Sequence, residues 1–188
     1  MISPDENVIR LQLVKALDEW VKLEHALGKI FYVLLKPIDF PRSQSVFRAI
    51  NGFQAQREAV TALVCDTISD EVITKQFEKL EGRCRSLATK RNRLVHGRWK
   101  TYNLSASKQL EGRTYFPPNM TLFTKDGSTV DTLKGKYIFF TDDLKRCIEE
   151  FRALTADLDA FRLLAASVLG ISPNIEISET DIIEFGEH

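Results

Sequence analysis

The apolar residues of this chain recur at alternating steps of three and four in four long segments, and this spacing limits what the chain can fold into. A helix brings residues with such spacing onto one face. The first segment opens with a Ser-Pro-Asp-Glu cap at residues 3–6 and ends before Pro37. The others run from about 43 to 68, from 69 to 97 and from 141 to 170. We therefore expect a mainly α protein, an antiparallel bundle of about four long helices.

The second segment carries a glycine in its interior. Gly52 follows several apolar positions of the stripe and precedes the rest of it. A glycine inside a helix indicates either close packing against a neighbouring element or a weak point of the helix. The period continues on both sides of Gly52, so we expect one helix here.

The helical period disappears between residues 98 and 140. Aromatic and β-branched runs replace it at 99–104, 120–124 and 137–140, and Pro117-Pro118 and Asp126-Gly127 separate these runs. This pattern predicts a small β-hairpin insert between the third and fourth long helices. The expected organisation is one domain over residues 1–170, with the insert at 98–140 and an acidic C-terminal tail at 171–188.

Charge is balanced in total but segregated along the chain. The 188 residues include 26 Lys and Arg against 26 Asp and Glu, so the whole molecule exerts no long-range attraction on a polyanion. Residues 83–100, however, contain seven basic residues and no acidic one, whereas residues 174–188 contain five acidic residues and no Lys or Arg. Any attraction for nucleic acid must therefore come from the basic stretch.

The cysteines and the apolar runs bear on the compartment of the protein. Cys65, Cys84 and Cys147 occupy positions of the apolar period without CxxC spacing, which predicts reduced core residues. The chain opens without a basic and apolar leader and contains no run of 18 apolar residues. These observations predict a soluble cytoplasmic protein with no membrane contact.

The third segment ends in the sequence Lys-Arg-Asn-Arg-Leu-Val-His-Gly at residues 90–97, which combines arginine with one of only three histidines. A guanidinium grips phosphate with two parallel hydrogen bonds, and imidazole exchanges a proton near neutral pH. Arg91 also occupies the centre of the apolar stripe of its helix, where a charge is costly unless it is paired or faces a cleft. This segment is therefore the leading candidate for a functional site.

A structural interpretation of the same residues stays open. Helices often end with basic residues in the last turn and a glycine just beyond, because cations complement the negative end of the helix dipole. Arg91, Arg93 and His96 followed by Gly97 fit that description. His25 on the first helix and His188 at the end of the chain carry no comparable pattern.

A helical bundle in which a late helix carries Arg, a polar residue, three further residues and His resembles the HEPN family (higher eukaryotes and prokaryotes nucleotide-binding domain). The family motif is Arg, four to six residues, then His, with Asn, His or Asp common after the Arg. Arg91 to His96 matches with four intervening residues and with Asn92 in the polar position. The likeness covers the helical frame, and the β-insert lies outside it.

The resemblance implies a metal-independent endoribonuclease, a toxin or a phage-defence effector, that acts as a homodimer with both motifs at one cleft. It implies that Arg91 contacts the scissile phosphate, that Asn92 orients the site and that His96 transfers protons. A cognate antitoxin or regulatory protein is an expected partner. Arg98 stands where the subgroup paired with a nucleotidyltransferase antitoxin commonly has Tyr, which argues against that pairing.

The neighbouring basic residues and the rest of the sequence complete the expectation. Lys90, Arg93, Arg98 and Lys100 are predicted to bind the RNA backbone. No carboxylate cluster or His/Cys group has metal-ligand spacing, and no phosphate loop, dinucleotide glycine pattern or nucleophile elbow occurs. The sequence therefore predicts a site with no metal and no cofactor.

Two rival interpretations remain. The same bundle could be a dimeric module that binds a nucleotide, RNA or protein without cleaving it, or a structural dimer in which Arg91 forms a salt bridge between helices. An ion pair of Arg91 with a carboxylate such as Glu24 would favour the structural interpretation. A cleft that holds Arg91 and His96 from both chains would favour the enzyme.

Overall fold

A computed structural model describes residues 4–35, 40–96, 98–101, 108–110, 113–115, 120–124 and 139–171. The mainly helical class expected from the sequence is confirmed. The described part of the chain has five helices where the apolar period predicted about four. They are α1 (Pro4–Leu34), α2 (Phe40–Ala49), α3 (Phe53–Thr67), α4 (Glu71–His96) and α5 (Thr141–Val168).

The extra helix arises because the predicted second helix is broken at Gly52. This residue is the N-cap of α3 and has φ of 86°, a left-handed conformation that glycine adopts without steric cost. A Cβ added at Gly52 would meet nothing within 4 Å, so of the two alternatives the glycine marks a weak point of the predicted helix and not close packing. The Gln56 side chain donates to the carbonyl oxygens of Phe47 and Ile50 at 3.4 and 3.3 Å, which ties the start of α3 to the end of α2.

The ends of the other helices follow the sequence signals. Asp70 caps α4, since its Oδ1 accepts from the backbone N–H of Val72 at 2.8 Å and of Ile73 at 3.3 Å. Gly170 has φ of 67° after the end of α5, and the N–H of Ile171 donates to the carbonyl of Ala166 at 2.9 Å. Local capping chemistry therefore fixes both ends, close to the bounds of 69 and 170 that the apolar spacing predicted.

The core lies between the apolar stripes of the long helices. Trp20 of α1 is 1% exposed and meets Phe53 of α3 and Phe151 of α5 edge-on, with ring centroids 4.7 and 5.3 Å apart. Farther along, Phe77 of α4 contacts Phe161 of α5 at 5.0 Å between centroids. Aromatic contacts of this kind add to the free energy gained by burying apolar area. They join four of the five helices around one core.

Ion pairs fix the relative direction of α4 and α5. Lys90 binds Glu150, and Arg83 binds Asp157 two turns away along each helix. The partner with the lower residue number on α4 pairs with the higher residue number on α5, so the two helices run antiparallel. The C-terminal turns of α4 therefore lie beside the N-terminal turns of α5.

Burial separates the three cysteines. Cys84 and Cys147 are buried, and desolvation raises the pKa of their thiols to about 12 and about 11, so both stay protonated at neutral pH. Cys65 is exposed, and its predicted place in the core is wrong. It lies on α3 next to buried Val64, one position round the helix from the apolar stripe.

The strands between α4 and α5 are short. β1 (Arg98–Thr101) pairs antiparallel with β4 (Met120–Thr124), and β4 pairs with β5 (Phe139–Phe140). A separate antiparallel pair consists of β2 (Lys108–Leu110) and β3 (Arg113–Tyr115). These pairings do not support the predicted hairpin insert as a single unit, and more than half of residues 98–140 lie outside the described residues. The acidic tail lies outside them from residue 172 onward.

One further property of the helices bears on membranes. Within the described ranges, none of the helices combines the length and the apolar character that crossing a bilayer requires.

Candidate functional site

The Arg-x4-His segment forms the last turns of α4. Leu87 and Leu94, four residues before and three residues after Arg91, are 7% and 1% exposed, so Arg91 holds the central stripe position that the sequence predicted. Lys90, on the adjacent face, bonds to Glu150 of α5. The C-terminal end of α4 is therefore anchored to α5 on one side of Arg91.

The guanidinium of Arg91 is stabilised by an aromatic ring. Its Cζ lies 5.9 Å from the centroid of the Trp20 ring, within the range of a cation–π contact, and the residue is half-buried. The sequence indicated that a charge at this stripe position needs a partner or a cleft. The face of a buried tryptophan is that partner.

No carboxylate of the described residues lies within ion-pair distance of Arg91, in contrast to the structural alternative considered for Glu24. Glu24 instead accepts a hydrogen bond from the indole Nε1 of Trp20 at 2.7 Å. The Nε of Arg91 is buried and has no hydrogen-bond partner in the described part of the chain, while Nη1 donates to Asn92 Oδ1 at 3.2 Å. The positive charge of Arg91 is thus held without being neutralised by a described acid.

Of the other two motif residues, Asn92 has a described side chain and His96 has not. Asn92 is exposed and contacts Arg91 through the hydrogen bond just described, so these two predicted site residues are adjacent. The backbone of His96 ends α4, but its side chain lies outside the described part of the structure.

The four residues predicted to bind the RNA backbone do not form one uniform surface. The ammonium group of Lys90 is engaged by Glu150, and Arg93 is half-buried on the same helix. Arg98 and Lys100 belong to β1, where they oppose Thr124 and Leu122 of β4, and their side chains lie outside the described residues. Lys90 reaches an RNA phosphate only if it shares or leaves its acidic partner.

Two contributors to the site were not predicted from the sequence. Trp20 belongs to the apolar stripe of the first segment, which predicts a core position and no more, and Glu24 was considered only as a possible partner of Arg91. Their spacing of four residues on one helix allows an indole-to-carboxylate hydrogen bond, and this signal was present in the sequence. What the sequence does not contain is the packing of α1 against α4, which brings the ring beneath Arg91.

His25 remains an ordinary residue of α1. It is half-buried, and desolvation lowers its pKa, with further contributions from the positive charges of Arg48 and Lys29. The imidazole is therefore neutral at pH 7.

Comparisons with protein-family models, with curated proteins and with solved structures found no match to this chain. The described residues also contain no group of three or more His, Cys, Asp or Glu side chains that could hold a metal ion. Any functional assignment therefore rests on the chemistry of the residues around Arg91.

Proposed function

We propose that this protein is a HEPN-like, metal-independent endoribonuclease of a toxin or phage-defence system. Arg91 contacts the scissile phosphate, Asn92 orients the site, and His96 transfers protons. One observation carries the proposal. The guanidinium of Arg91 sits in the apolar stripe of α4 over Trp20, and no carboxylate of the described residues pairs with it.

The electrostatics of Arg91 support phosphate binding. A guanidinium that pairs with a carboxylate has its charge largely cancelled, whereas one that lies on an aromatic face keeps its full charge and its N–H donors. Arg91 has a buried Nε without a partner in the described residues and one terminal nitrogen that reaches Asn92. A phosphate oxygen would accept charge-assisted hydrogen bonds from the terminal nitrogens, because the Nε has less than 1 Å² of exposed surface.

The chemistry requires no added nucleophile, because RNA supplies its own 2′-hydroxyl. A base removes the 2′-hydroxyl proton as the oxygen forms a bond to phosphorus, and the bond from phosphorus to the 5′-oxygen breaks as that oxygen gains a proton. The products are a 2′,3′-cyclic phosphate and a 5′-hydroxyl. Base and acid are roles for His96, and the crowded phosphate needs the positive charge of Arg91.

Two copies of the motif would separate the roles of acid and base, which is why the proposal includes a homodimer. Apolar side chains remain exposed on two helices of the bundle. Val14 and Val21 of α1 are 53% and 46% exposed, and Leu163 and Val168 of α5 are 46% and 48% exposed. Burial of such surface between copies is a common driving force for symmetric dimers. A cognate antitoxin or regulatory protein would complete the system.

The direct test is cleavage of single-stranded RNA by the purified protein in the presence of EDTA. We expect products that end in a 2′,3′-cyclic phosphate. Activity that vanishes with chelator and returns with magnesium would contradict the mechanism. Light scattering should give a homodimer at micromolar concentration, and a mass of 21.5 kDa, that of one chain, throughout that range would contradict the shared cleft.

His96→Ala tests the proton-transfer role. Loss of a general acid or base lowers the rate by about 10² to 10⁴-fold, while RNA binding should persist. An unchanged cleavage rate at an unchanged melting temperature would remove His96 from the mechanism.

A non-catalytic HEPN-like module that binds RNA, a nucleotide or a protein is the second candidate. One observation favours it: the contacts of Arg91 with Trp20 and Asn92 suit the binding of an anion and involve no titrating group. Under this alternative Arg91→Ala abolishes RNA binding, whereas the parent protein and His96→Ala bind RNA equally and cleave none of it.

A further inference from the structure

A chain of contacts runs from α1 to the candidate phosphate-binding arginine. Glu24 accepts the indole N–H of Trp20 at 2.7 Å, and the face of that indole lies 5.9 Å from the Cζ of Arg91. Glu24 and Trp20 belong to α1 and Arg91 to α4. The described contacts thus link a carboxylate, an aromatic ring and a guanidinium in series.

The ring in the middle of this chain is fixed in place. Phe53 and Phe151 meet Trp20 edge-on at 4.7 and 5.3 Å, and the residue is 1% exposed. The hydrogen bond to Glu24 also fixes the direction in which the indole N–H points. The ring is thus held from three sides with one face toward Arg91.

The hydrogen bond from the ring to Glu24 also affects how strongly the ring attracts a cation. A carboxylate that accepts the indole N–H pushes electron density into the ring, and hydrogen-bonded groups in series polarise one another. The face of the ring becomes more negative and holds the guanidinium more firmly. Glu24 therefore acts on Arg91 through Trp20 without cancelling its charge in an ion pair.

We propose that Trp20 and Glu24 are positioning residues that hold the Arg91 guanidinium, charged and oriented, for contact with an RNA phosphate. This inference rests on the proposed function, because it gives Arg91 the phosphate as its ligand. It adds two residues outside the Arg-x4-His motif. Neither touches the substrate.

The protein contains two tryptophans, Trp20 and Trp99, so a Trp99→Phe background leaves Trp20 as the single indole emitter. The probe is a short single-stranded 2′-O-methyl RNA, which presents phosphates and bases but lacks the free 2′-hydroxyl that cleavage requires. If phosphate engages Arg91, the guanidinium shifts on the ring and the emission of Trp20 changes with saturation. Arg91→Met, which keeps the length of the side chain and removes its charge, should lose this response.

Cleavage rates in the parent protein supply the second readout. Glu24→Gln keeps an oxygen that accepts the indole N–H, whereas Glu24→Leu has similar size and no acceptor. We expect the rate to fall in that order, by about twofold and about tenfold, in assays run well below the melting temperature of each variant. Trp20→Phe keeps an aromatic filler between Phe53 and Phe151 and should also lose about tenfold.

The outcomes distinguish failure of the inference from failure of the proposed function. If the RNA binds and is cleaved, yet Trp20 emission does not respond and Glu24→Leu is as active as the parent, the positioning role is overturned and the nuclease stands. If Glu24→Leu loses activity only in proportion to a lower melting temperature, Glu24 is a structural residue and the inference is likewise overturned. If the parent neither binds nor cleaves RNA, the proposed function fails and the positioning role fails with it.

Discussion

Arg57 and Arg91, two of the described arginines, lie in the apolar stripes of their helices, but they have different partners. Arg57 of α3 is 6% exposed, and its Nε lies 3.1 Å from Oε1 of Glu81 on α4. Arg91 of α4 is half-buried, lies over Trp20, and has no carboxylate partner among the described residues. Each has an Nε that lacks a hydrogen bond of good geometry in the described part of the chain.

The partner of each arginine distinguishes a structural role from a binding role in this fold. At the contact of α3 with α4, Glu81 cancels the charge of Arg57 and also binds Arg85 with two hydrogen bonds. At the contact of α1 with α4, an aromatic ring supports Arg91 and leaves its charge in place. The first arrangement suits the joining of helices, and the second suits the binding of an anion.

The largest expected effect separates the two arginines by activity. Under the proposed function, Arg91→Ala should lower the rate of RNA cleavage by about 10² to 10³-fold, since it would remove the cation over the reacting phosphate. Arg91→Lys should restore only part of it, because the two-pronged grip is lost. Arg85→Ala is the matched control, because it removes one positive charge from an exposed position of the same helix. If both variants lose the same fraction of the cleavage rate in EDTA, Arg91 contributes only its positive charge and has no specific role at the phosphate.

The next effect separates them by stability. Glu81→Ala leaves Arg57 buried without its acidic partner, and breaking such a pair should lower the free energy of unfolding by about 3 kcal/mol, the lower end of the usual range because Glu81 keeps 15% of its side-chain exposure. Glu78→Ala, at an exposed position of α4, is the control. Urea unfolding measures both, and a Glu81→Ala loss no greater than that of Glu78→Ala would show that Arg57 needs no partner.

A smaller effect is expected when the charge of Arg91 is removed from the fold. Arg91→Met keeps apolar packing over Trp20 and should lower the free energy of unfolding by no more than about 1 kcal/mol, the strength of a partly exposed cation–π contact. Thermal unfolding followed by circular dichroism measures the change. A loss as large as that of Glu81→Ala would mean that Arg91, like Arg57, serves mainly to hold helices together.

The smallest effect concerns a third arginine, at the surface. Arg152 of α5 donates to Glu19 of α1 at 3.0 Å, and this hydrogen bond lowers the pKa of the Glu19 carboxyl below its usual 4.5, with a further contribution from Lys22. The stabilisation is complete above pH 4.5 and is lost as pH falls through the lowered pKa of the folded state. Because Arg152 is 60% exposed, solvent screening keeps the effect small.

Glu19→Gln tests that sign. The variant should flatten the fall in unfolding free energy below pH 4.5 and leave cleavage at neutral pH unchanged. A fall in stability below pH 4.5 that is the same in Glu19→Gln as in the parent would assign the acid sensitivity to other carboxyls.

Local signals in the sequence decided most of the helices and their ends. The three-and-four spacing set the long stripes, Asp70 set the start of α4, and Gly170 set the end of α5, because capping and helix periodicity depend on residues within a turn of one another. The same periodicity failed at Gly52, where the apolar spacing continued across a left-handed residue that separates α2 from α3. The position of Arg91 at the centre of an apolar stripe was likewise a sequence property.

Only the tertiary structure decided what surrounds Arg91. Trp20, the aromatic neighbour of Arg91, comes from α1, some seventy positions earlier in the chain, and no local pattern on α4 encodes that neighbour. The same holds for Lys90, which the sequence offered to RNA and which the antiparallel packing of α5 places against Glu150. Helix periodicity determines which face of a helix is buried, but the partner of each buried side chain depends on which helices pack together, and that is a property of the whole chain.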